Sequence, residues 1–306
     1  MLEDLTVWYL FLGGTGAGCL LVAAALECLS PHAIAVNGGR RILKGPYRSF
    51  FAPAYVAGLA AVAVGALCLL LDLGRGERAL SLIFQPTLSF VSVGVFLLIA
   101  LMMFAAAPAA FWAFGRTGLP EPLALAARVL LALAALSVMT YTGLLLSGMP
   151  SVPLWNTPLL PVLFVASALS SGIALLVCVV FLTGSSERFA SAASRLRAAD
   201  AVAIVCEVIL LALFVGAAFL KGGTAQASAE RLVQGDLSAP FLGLVVLLGL
   251  VVPFACEALV RKASERAVVA AAVLVLAGGF FLRWCIVEAG MAVDIAASVM
   301  PVLGIQ

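Results

Sequence analysis

Eight stretches of about 20 mostly apolar residues recur along this chain and restrict its fold more than any other feature. Each is long enough to cross the hydrocarbon core of a bilayer as a helix. Lipid offers no partners to backbone amides, and strict apolar/polar alternation is absent, which disfavours a β-barrel. The sequence therefore predicts an all-α integral membrane protein with eight transmembrane helices. The spans lie at roughly 5–28, 51–71, 89–114, 122–146, 157–183, 199–220, 239–260 and 267–289.

Composition agrees with lipid as the solvent. The chain has 306 residues, of which 64% are hydrophobic and 10% are charged, whereas a soluble domain is about a quarter charged. The net charge is only +2 and the basic residues are scattered over loops, which argues against a nucleic-acid-binding surface. The first residues lack a basic n-region and a small-residue cleavage site, so we expect 5–28 to be a retained helix rather than a signal peptide.

Lysines and arginines in the loops predict the orientation. Loops after odd-numbered spans carry 11 of these residues, namely Arg40, Arg41, Lys44, Arg48, Arg116, Arg188, Arg195, Arg197, Arg261, Lys262 and Arg266. The opposite loops carry only four, namely Arg75, Arg78, Lys221 and Arg231. The first set is predicted to be cytoplasmic, so both termini should lie on the outer face.

Small residues and span number suggest how the helices are organised. The run "GGTGAG" at 13–18 gives the first span a small-residue face for close helix packing. It lies mid-helix with no strand before it, so it is a poor dinucleotide motif. We expect one membrane domain, 1–306, with four-helix bundles at 1–147 and 148–306.

The residues that usually bind metals are sparse. The single histidine, His32, lies in a polar loop, so paired axial histidines for a haem are missing. The seven cysteines lie in apolar stretches without a CxxC or cluster-ligand spacing, and they read as small core residues. No metal site is predicted.

Polar residues of five segments fall near the predicted outer ends of their spans. Each has a structural explanation, because tryptophan and tyrosine favour membrane interfaces and long side chains snorkel. Their common depth also favours a binding site. The set comprises Tyr9, Thr15, Asp72, Tyr141, Ser147, Trp155, Asn156, Arg283, Trp284 and Glu288.

Charged residues inside spans are costly and are usually paired or functional. Arg283 and Glu288 are five residues apart, which is unsuitable for an i,i+4 pair, so Asp72 is the suggested partner of Arg283. Glu27 and Glu207 also stand in or near apolar runs. They are either satisfied by a neighbouring helix or part of a proton route.

The chain resembles the NrfD family, the integral membrane subunits of polysulfide reductase and related molybdopterin oxidoreductases. The similar stretches are "WYLFLGGTGAG" at 8–18, "LDLGR" at 71–75, "YTGLLLS" with the following "PLWNTPLLPVLFVASALSSGIAL" within 141–175, and "GGFFLRWCIVEAG" at 278–290. These motifs fall in spans one, two, four, five and eight, in order.

The resemblance implies two four-helix bundles without haem and a quinone site, for menaquinone or ubiquinone, near the face where an iron–sulfur subunit docks. Iron–sulfur clusters and molybdopterin would belong to partner subunits. In the family the site uses polar residues of the first helix and the "YTG" tyrosine, here Tyr141. Some members carry asparagine and histidine early in that helix. Here "LTVWYLF" has neither, so Trp8, Tyr9 and Thr15 are the candidate replacements.

Quinone chemistry explains the neutral polar loop around 141–161. A tyrosine hydroxyl and an asparagine amide can bond to quinone oxygens without permanent charge. Tyr141 and Asn156 are the suggested donors and Trp155 a flanking ring, while Glu288 or Asp72 would accept protons. The remaining candidates for quinone contacts are Tyr9, Thr15, Ser147, Arg283 and Trp284.

Two alternatives stay open. Intramembrane charges and small-residue faces also fit a secondary transporter, although transporters place their site near the midplane. A structural anchor without a working quinone site is the other. The loop 222–238 and the tail 291–306 are candidate docking surfaces, and the expected location is the inner membrane of a bacterium or archaeon.

Overall fold

Eight membrane-crossing helices form the body of the molecule. A computed structural model describes residues 2–30, 34–37, 40–43, 45–72, 90–115, 120–184, 190–259 and 265–299. Within these ranges eight helices are long and apolar enough to span a membrane, which confirms the predicted all-α multi-pass fold. His32 and Arg75 lie outside the described residues. Seven of the eight are α1 (Leu2–Cys28), α2 (Gly45–Asp72), α3 (Phe90–Phe114), α4 (Glu121–Ser147), α5 (Leu159–Leu182), α6 (Ala190–Lys221) and α9 (Glu265–Val299).

The other elements include a short helix and two strands that sequence reasoning missed. A short helix, α7 (Gly223–Val233), occupies most of the stretch expected to be a loop. Its buried residues recur at helical spacing, at Ala225, Ser228, Ala229 and Leu232. Strands β1 (Ile34–Asn37) and β2 (Arg40–Leu43) form an antiparallel hairpin between α1 and α2. The remaining spanning helix, α8, begins as a π-helix over Ala239–Val251 and continues as an α-helix over Val252–Leu259.

The helices pack in two groups, and α1 contacts helices of both. In the first group α1 contacts α2 and α4, and α3 packs against both α2 and α4. In the second group α5 contacts α6 and α9, and α9 contacts α8. α1 also packs against α5 and α9, so it lies between the groups. We call α1–α4 the first group and α5, α6, α8 and α9 the second; a domain boundary after residue 147 stays a prediction.

Glycines on two faces of α1 allow this central position. A Cβ at Gly16 would come within 2.8 Å of the Gly58 carbonyl oxygen of α2. A Cβ at Gly18 would collide with the carbonyl of Ala168 in α5. Because lipid gives apolar helices little reason to associate, such close backbone approach supplies much of the packing energy.

Side-chain bonds fix the relative direction of the helices. Thr6, near the start of α1, bonds to Asp72 at the end of α2. Arg283, at the middle of α9, donates to Ser167 of α5 and so joins these two helices within the membrane. We call the face where α1 begins the N-terminal face; that it is the outer face stays a prediction.

Candidate functional site

Two tyrosines from different helices meet in the half of the first group nearest the N-terminal face. Tyr9 of α1 is fully buried and Tyr141 of α4 is 4% exposed. Their hydroxyl groups lie close enough to interact. Even so, the Tyr9 oxygen has no hydrogen bond of good geometry within the described part of the chain. Buried polar atoms are normally bonded, so the Tyr9 hydroxyl is an exception among the buried groups.

Gly94 of α3 makes room for the tyrosine pair. The ring and hydroxyl of Tyr141 occupy the place where a Cβ at residue 94 would stand. The Tyr141 hydroxyl also bonds to the Gly94 backbone. Sequence reasoning missed Gly94, because a single glycine in an apolar span has many possible roles.

An apolar groove lies beside this glycine. It runs between α2 and α3 with a volume of about 360 Å³. Val95, which follows Gly94 in the chain, lines the groove. The groove therefore reaches the turn of α3 against which the Tyr141 side chain packs. The exposed side chains of Leu67, Leu70 and Ile99 open it towards lipid. The lining residues are Ala63, Ala66, Leu67, Leu69, Leu70, Val95, Leu98, Ile99 and Met102.

Asp72 lies close to the tyrosine pair. Its carboxylate accepts a hydrogen bond of 2.7 Å from the Thr6 hydroxyl. Thr6 precedes Tyr9 by three residues on α1, which is nearly one helical turn. Asp72 is therefore about one turn nearer the N-terminal face than Tyr9.

Arg283 is fully buried, but it does not join the tyrosines or Asp72. Its Nη1 donates to the Ser167 hydroxyl at 3.2 Å and to the Gly279 carbonyl at 2.7 Å. The guanidinium carbon lies 5.8 Å from the ring centre of Phe11 and 5.2 Å from that of Phe164. The suggested pairing with Asp72 was wrong, because Arg283 faces α5 whereas Asp72 faces the start of α1.

Further polar residues surround Arg283 in the second group. Glu207 of α6 is 3% exposed and interacts with Ser167 and Arg283. Asp200, also on α6, accepts a hydrogen bond of 3.0 Å from Ser170. Sequence reasoning gave no role to Asp200, Ser167 or Ser170. The sequence of an apolar span does not show which side of α5 or α6 is turned towards a neighbouring helix.

Thr15 connects α1 to α5 on this side. Its hydroxyl donates to the Ser171 hydroxyl at 3.1 Å. Ser171 in turn donates to the Ser167 carbonyl within its own helix at 2.7 Å. Thr15 is thus part of the α1–α5 contact rather than a neighbour of the tyrosine pair.

Four other predicted residues bond elsewhere. The Trp155 indole is 3% exposed and donates to the Ile286 carbonyl at 2.8 Å. The Asn156 side chain is exposed, and Lys221 binds its backbone carbonyl at 3.0 Å. Ser147 donates to Leu144 within its helix, and Trp284 packs edge-on against Phe281. The Trp155 and Lys221 bonds attach the connection between α4 and α5 to α9 and α6, whereas the Ser147 and Trp284 contacts lie within single helices.

Glu288 lies beside α7 rather than beside the tyrosines. It is close enough to Arg231 for their charges to attract. Arg231 also makes an ion pair of 2.5 Å with Asp236. The hydrogen bond from Arg231 holds the pKa of Asp236 below its usual value, and the bond to Asp236 raises the pKa of Arg231.

A second buried charged cluster joins all four helices of the first group at the end of α1. Glu27 accepts hydrogen bonds from the Tyr55 hydroxyl at 2.7 Å and the Trp112 indole at 3.1 Å. Its other carboxylate oxygen is 3.6 Å from Arg128. Glu27 is thus satisfied by neighbouring helices, which was one of the two interpretations of this residue.

No metal-binding cluster is found in the described ranges: no three histidine, cysteine, aspartate or glutamate residues there are placed to share an ion.

Comparison with known proteins covers nearly the whole sequence. The family model described as "Polysulphide reductase, NrfD" matches residues 4–296. The C subunit of the polysulfide reductase of Wolinella succinogenes is 32% identical over 302 residues, which cover 92% of both proteins. Protein NrfD of Escherichia coli is 29% identical over 303 residues, again with 92% coverage of both. A protein NrfD homolog of Haemophilus influenzae is 27% identical over 176 residues, which cover 56% of this protein and 55% of the relative.

Proposed function

Because this chain belongs to the NrfD polysulphide reductase family, we propose that it is the quinone-reacting membrane subunit of an oxidoreductase complex. It passes electrons between the quinone pool and an iron–sulfur subunit, which serves a molybdopterin catalytic subunit. The expected location is the inner membrane of a bacterium or archaeon. The observation that carries the proposal is the buried Tyr9 hydroxyl, which meets Tyr141 without a well-formed bond.

The tyrosine pair fits the head of a quinone. A quinone oxygen accepts hydrogen bonds, and tyrosine hydroxyls are uncharged donors. One quinone oxygen within reach of both hydroxyls would give the Tyr9 hydroxyl the well-formed bond that it lacks. Because Gly94 has no side chain, the Tyr141 ring can lie beside the quinone oxygen. The site would thus bind the polar end of an otherwise apolar molecule.

The α2–α3 groove fits the tail. Its lining is aliphatic, and it opens towards lipid at Leu67, Leu70 and Ile99. An isoprenoid chain gains about 25 cal/mol for each Å² of apolar surface removed from water, but gains little on moving from lipid into such a groove. The groove therefore serves access and orientation, and the tyrosines supply specificity.

Asp72 is the better placed of the two suggested proton acceptors. Oxidation of a quinol releases two electrons and two protons, so a base must lie near the head. Asp72 is about one turn from Tyr9 through Thr6, whereas Glu288 lies beside Arg231. We propose that protons pass from the quinol through the Tyr9 region to Asp72 and the N-terminal face. The electrons go to the iron–sulfur partner.

The test is quinol-dependent turnover of the intact purified complex. Tyr141→Phe and Tyr9→Phe each remove one donor and are expected to slow this reaction about 2- to 10-fold, as the loss of a single hydrogen bond predicts. Activity of the partner enzyme with an artificial electron donor should stay intact. Tyr55→Phe is the matched control, because it removes a buried hydroxyl bonded to Glu27 instead.

Quinol turnover and substrate transport in vesicles together separate the alternatives. A complex that never reacts with quinol, although this subunit is present in stoichiometric amount, would identify a structural anchor. Substrate movement in vesicles without any quinone dependence would identify a transporter. Unchanged quinol kinetics in both tyrosine variants would move the site away from the pair.

A further inference from the structure

We infer that Glu207 is a proton-exchange group in the second helix group. It lies beside Arg283 at one end of a set of buried polar groups, Asp200, Ser170, Ser167 and Glu207, which we call the relay. This inference does not depend on quinone chemistry at the tyrosine pair. It assigns a proton site to residues that the proposed quinone reaction leaves unused.

The relay follows matching faces of two helices. Asp200 and Glu207 are seven residues apart on α6, which places them on one face about two turns apart. Ser170 and Ser167 lie opposite on α5, and each serine hydroxyl bonds to one of the acids. Both acids are at most 3% exposed. Two carboxyl groups and two hydroxyls therefore lie along the contact between α5 and α6.

Arg283 supplies the independent sign that something binds here. It is completely buried, and its Nε and Nη2 atoms have no hydrogen-bond partner among the described residues. An unpartnered guanidinium N–H in the membrane interior is costly. Water is the ligand that matches, because it satisfies buried donors and is attracted to a carboxylate at the same time. Such water beside Glu207 is the medium a proton needs.

The groups facing Glu207 act in opposite directions. Asp200 contributes a second carboxyl group, whereas Arg283 contributes a positive charge and Ser167 a hydroxyl. Arg283 faces it from α9, Ser167 from α5 and Asp200 from its own helix. A group balanced in this way can bind a proton at its carboxylate oxygen and release it again, which a relay requires.

The relay is separated from the tyrosine pair by α1. Gly14 lies next to Arg283, since a Cβ there would be 3.1 Å from Nη2. Gly14 and Tyr9 are five residues apart, so they point about 140° away from each other around the helix. The failure of one site therefore need not affect the other.

Infrared difference spectroscopy of the purified complex tests the assignment without requiring turnover. A pH titration should show a C=O band of a protonated carboxylic acid that loses intensity as the pH rises and shifts in D₂O. Glu207→Gln should remove this band. Glu207→Asp should retain a band at an altered frequency, which guards against loss through misfolding. Glu230→Gln, at an exposed position on α7, is the matched control and should change nothing.

Two further variants define the site. Arg283→Met removes the cation beside Glu207, so the midpoint of the Glu207 titration should shift. Tyr141→Phe should leave the band unchanged, which distinguishes this site from the quinone site. The inference is overturned if the wild type shows no titrating band that depends on Glu207. It is equally overturned if that band does not respond to D₂O, because the acid would then be sealed from water.

Discussion

The ring of Tyr141 fills the space that Gly94 leaves on α3, with its hydroxyl against the Gly94 backbone. This relationship joins α3 and α4 at the point where α1 contributes Tyr9. The position of Tyr141 therefore depends on the absence of a side chain at residue 94. A change at residue 94 is expected to act on the site without touching either tyrosine.

Gly94→Ala should displace Tyr141 and slow the quinol reaction at least as much as Tyr141→Phe does. The added methyl group would overlap the tyrosine ring, so the side chain must move. Quinol-dependent turnover of the purified complex measures the effect, with artificial-donor activity as reference. Gly216→Ala is the control, because nothing lies within 4 Å of that position. Equal kinetics for the two alanine variants would show that Tyr141 needs no fixed position.

Trp155→Phe should lower the free energy of unfolding by about 1–3 kcal/mol, because the buried Ile286 carbonyl would lose its donor. Thermal unfolding in detergent measures this. Gly290→Ala should act in the same direction, since the Trp155 ring occupies the place of its Cβ. Gly243→Ala, which has open space around it, should be neutral. If Trp155→Phe unfolded like the wild type, the indole bond would contribute no stability.

Glu27→Gln should destabilise the first group by about 3–5 kcal/mol, the usual effect of removing one member of a buried ion pair. The amide cannot compensate the charge of Arg128, although it can still accept one bond from Tyr55 or Trp112. Unfolding of the purified protein in detergent is again the measurement. The double variant Glu27→Gln with Arg128→Met should recover part of the loss, since it removes the uncompensated cation. Strictly additive losses would argue against a coupled pair.

The helical spans were predictable because the requirement to cross lipid leaves a long, plain signal in the sequence. The bounds of α5, Leu159–Leu182, differ from the predicted 157–183 by only a residue or two. α7 was missed because it is short and polar, and its Ala225 to Leu232 spacing is weak beside the apolar spans. The length of the apolar stretches thus indicates which segments span the membrane, but it does not indicate the structure of the segments that connect them.

Side-chain partners were less predictable than spans. In a lipid-facing bundle the buried and exposed faces are both apolar, so the sequence gives little indication of rotation about each helix axis. The predicted depth of each residue in the membrane correctly placed Tyr9 and Tyr141 at the same level. It also grouped them with Arg283, which belongs to α9 and packs against another face of α1. Asn156 was grouped with the two tyrosines as well, yet its side chain is exposed. Predicting these differences requires the contacts of α1 with α2 and α5.

Gly16 and Gly18 place bare backbone against α2 on one side of α1 and α5 on the other. The neighbours are Gly58 and Val62 of α2 at the first glycine and Ala168 and Gly172 of α5 at the second, and neither position has space for a side chain. α1 consequently behaves as a stiff partition, and a tilt that widens one compartment narrows the other. A displacement of α1 is therefore expected to reach both halves of this protein.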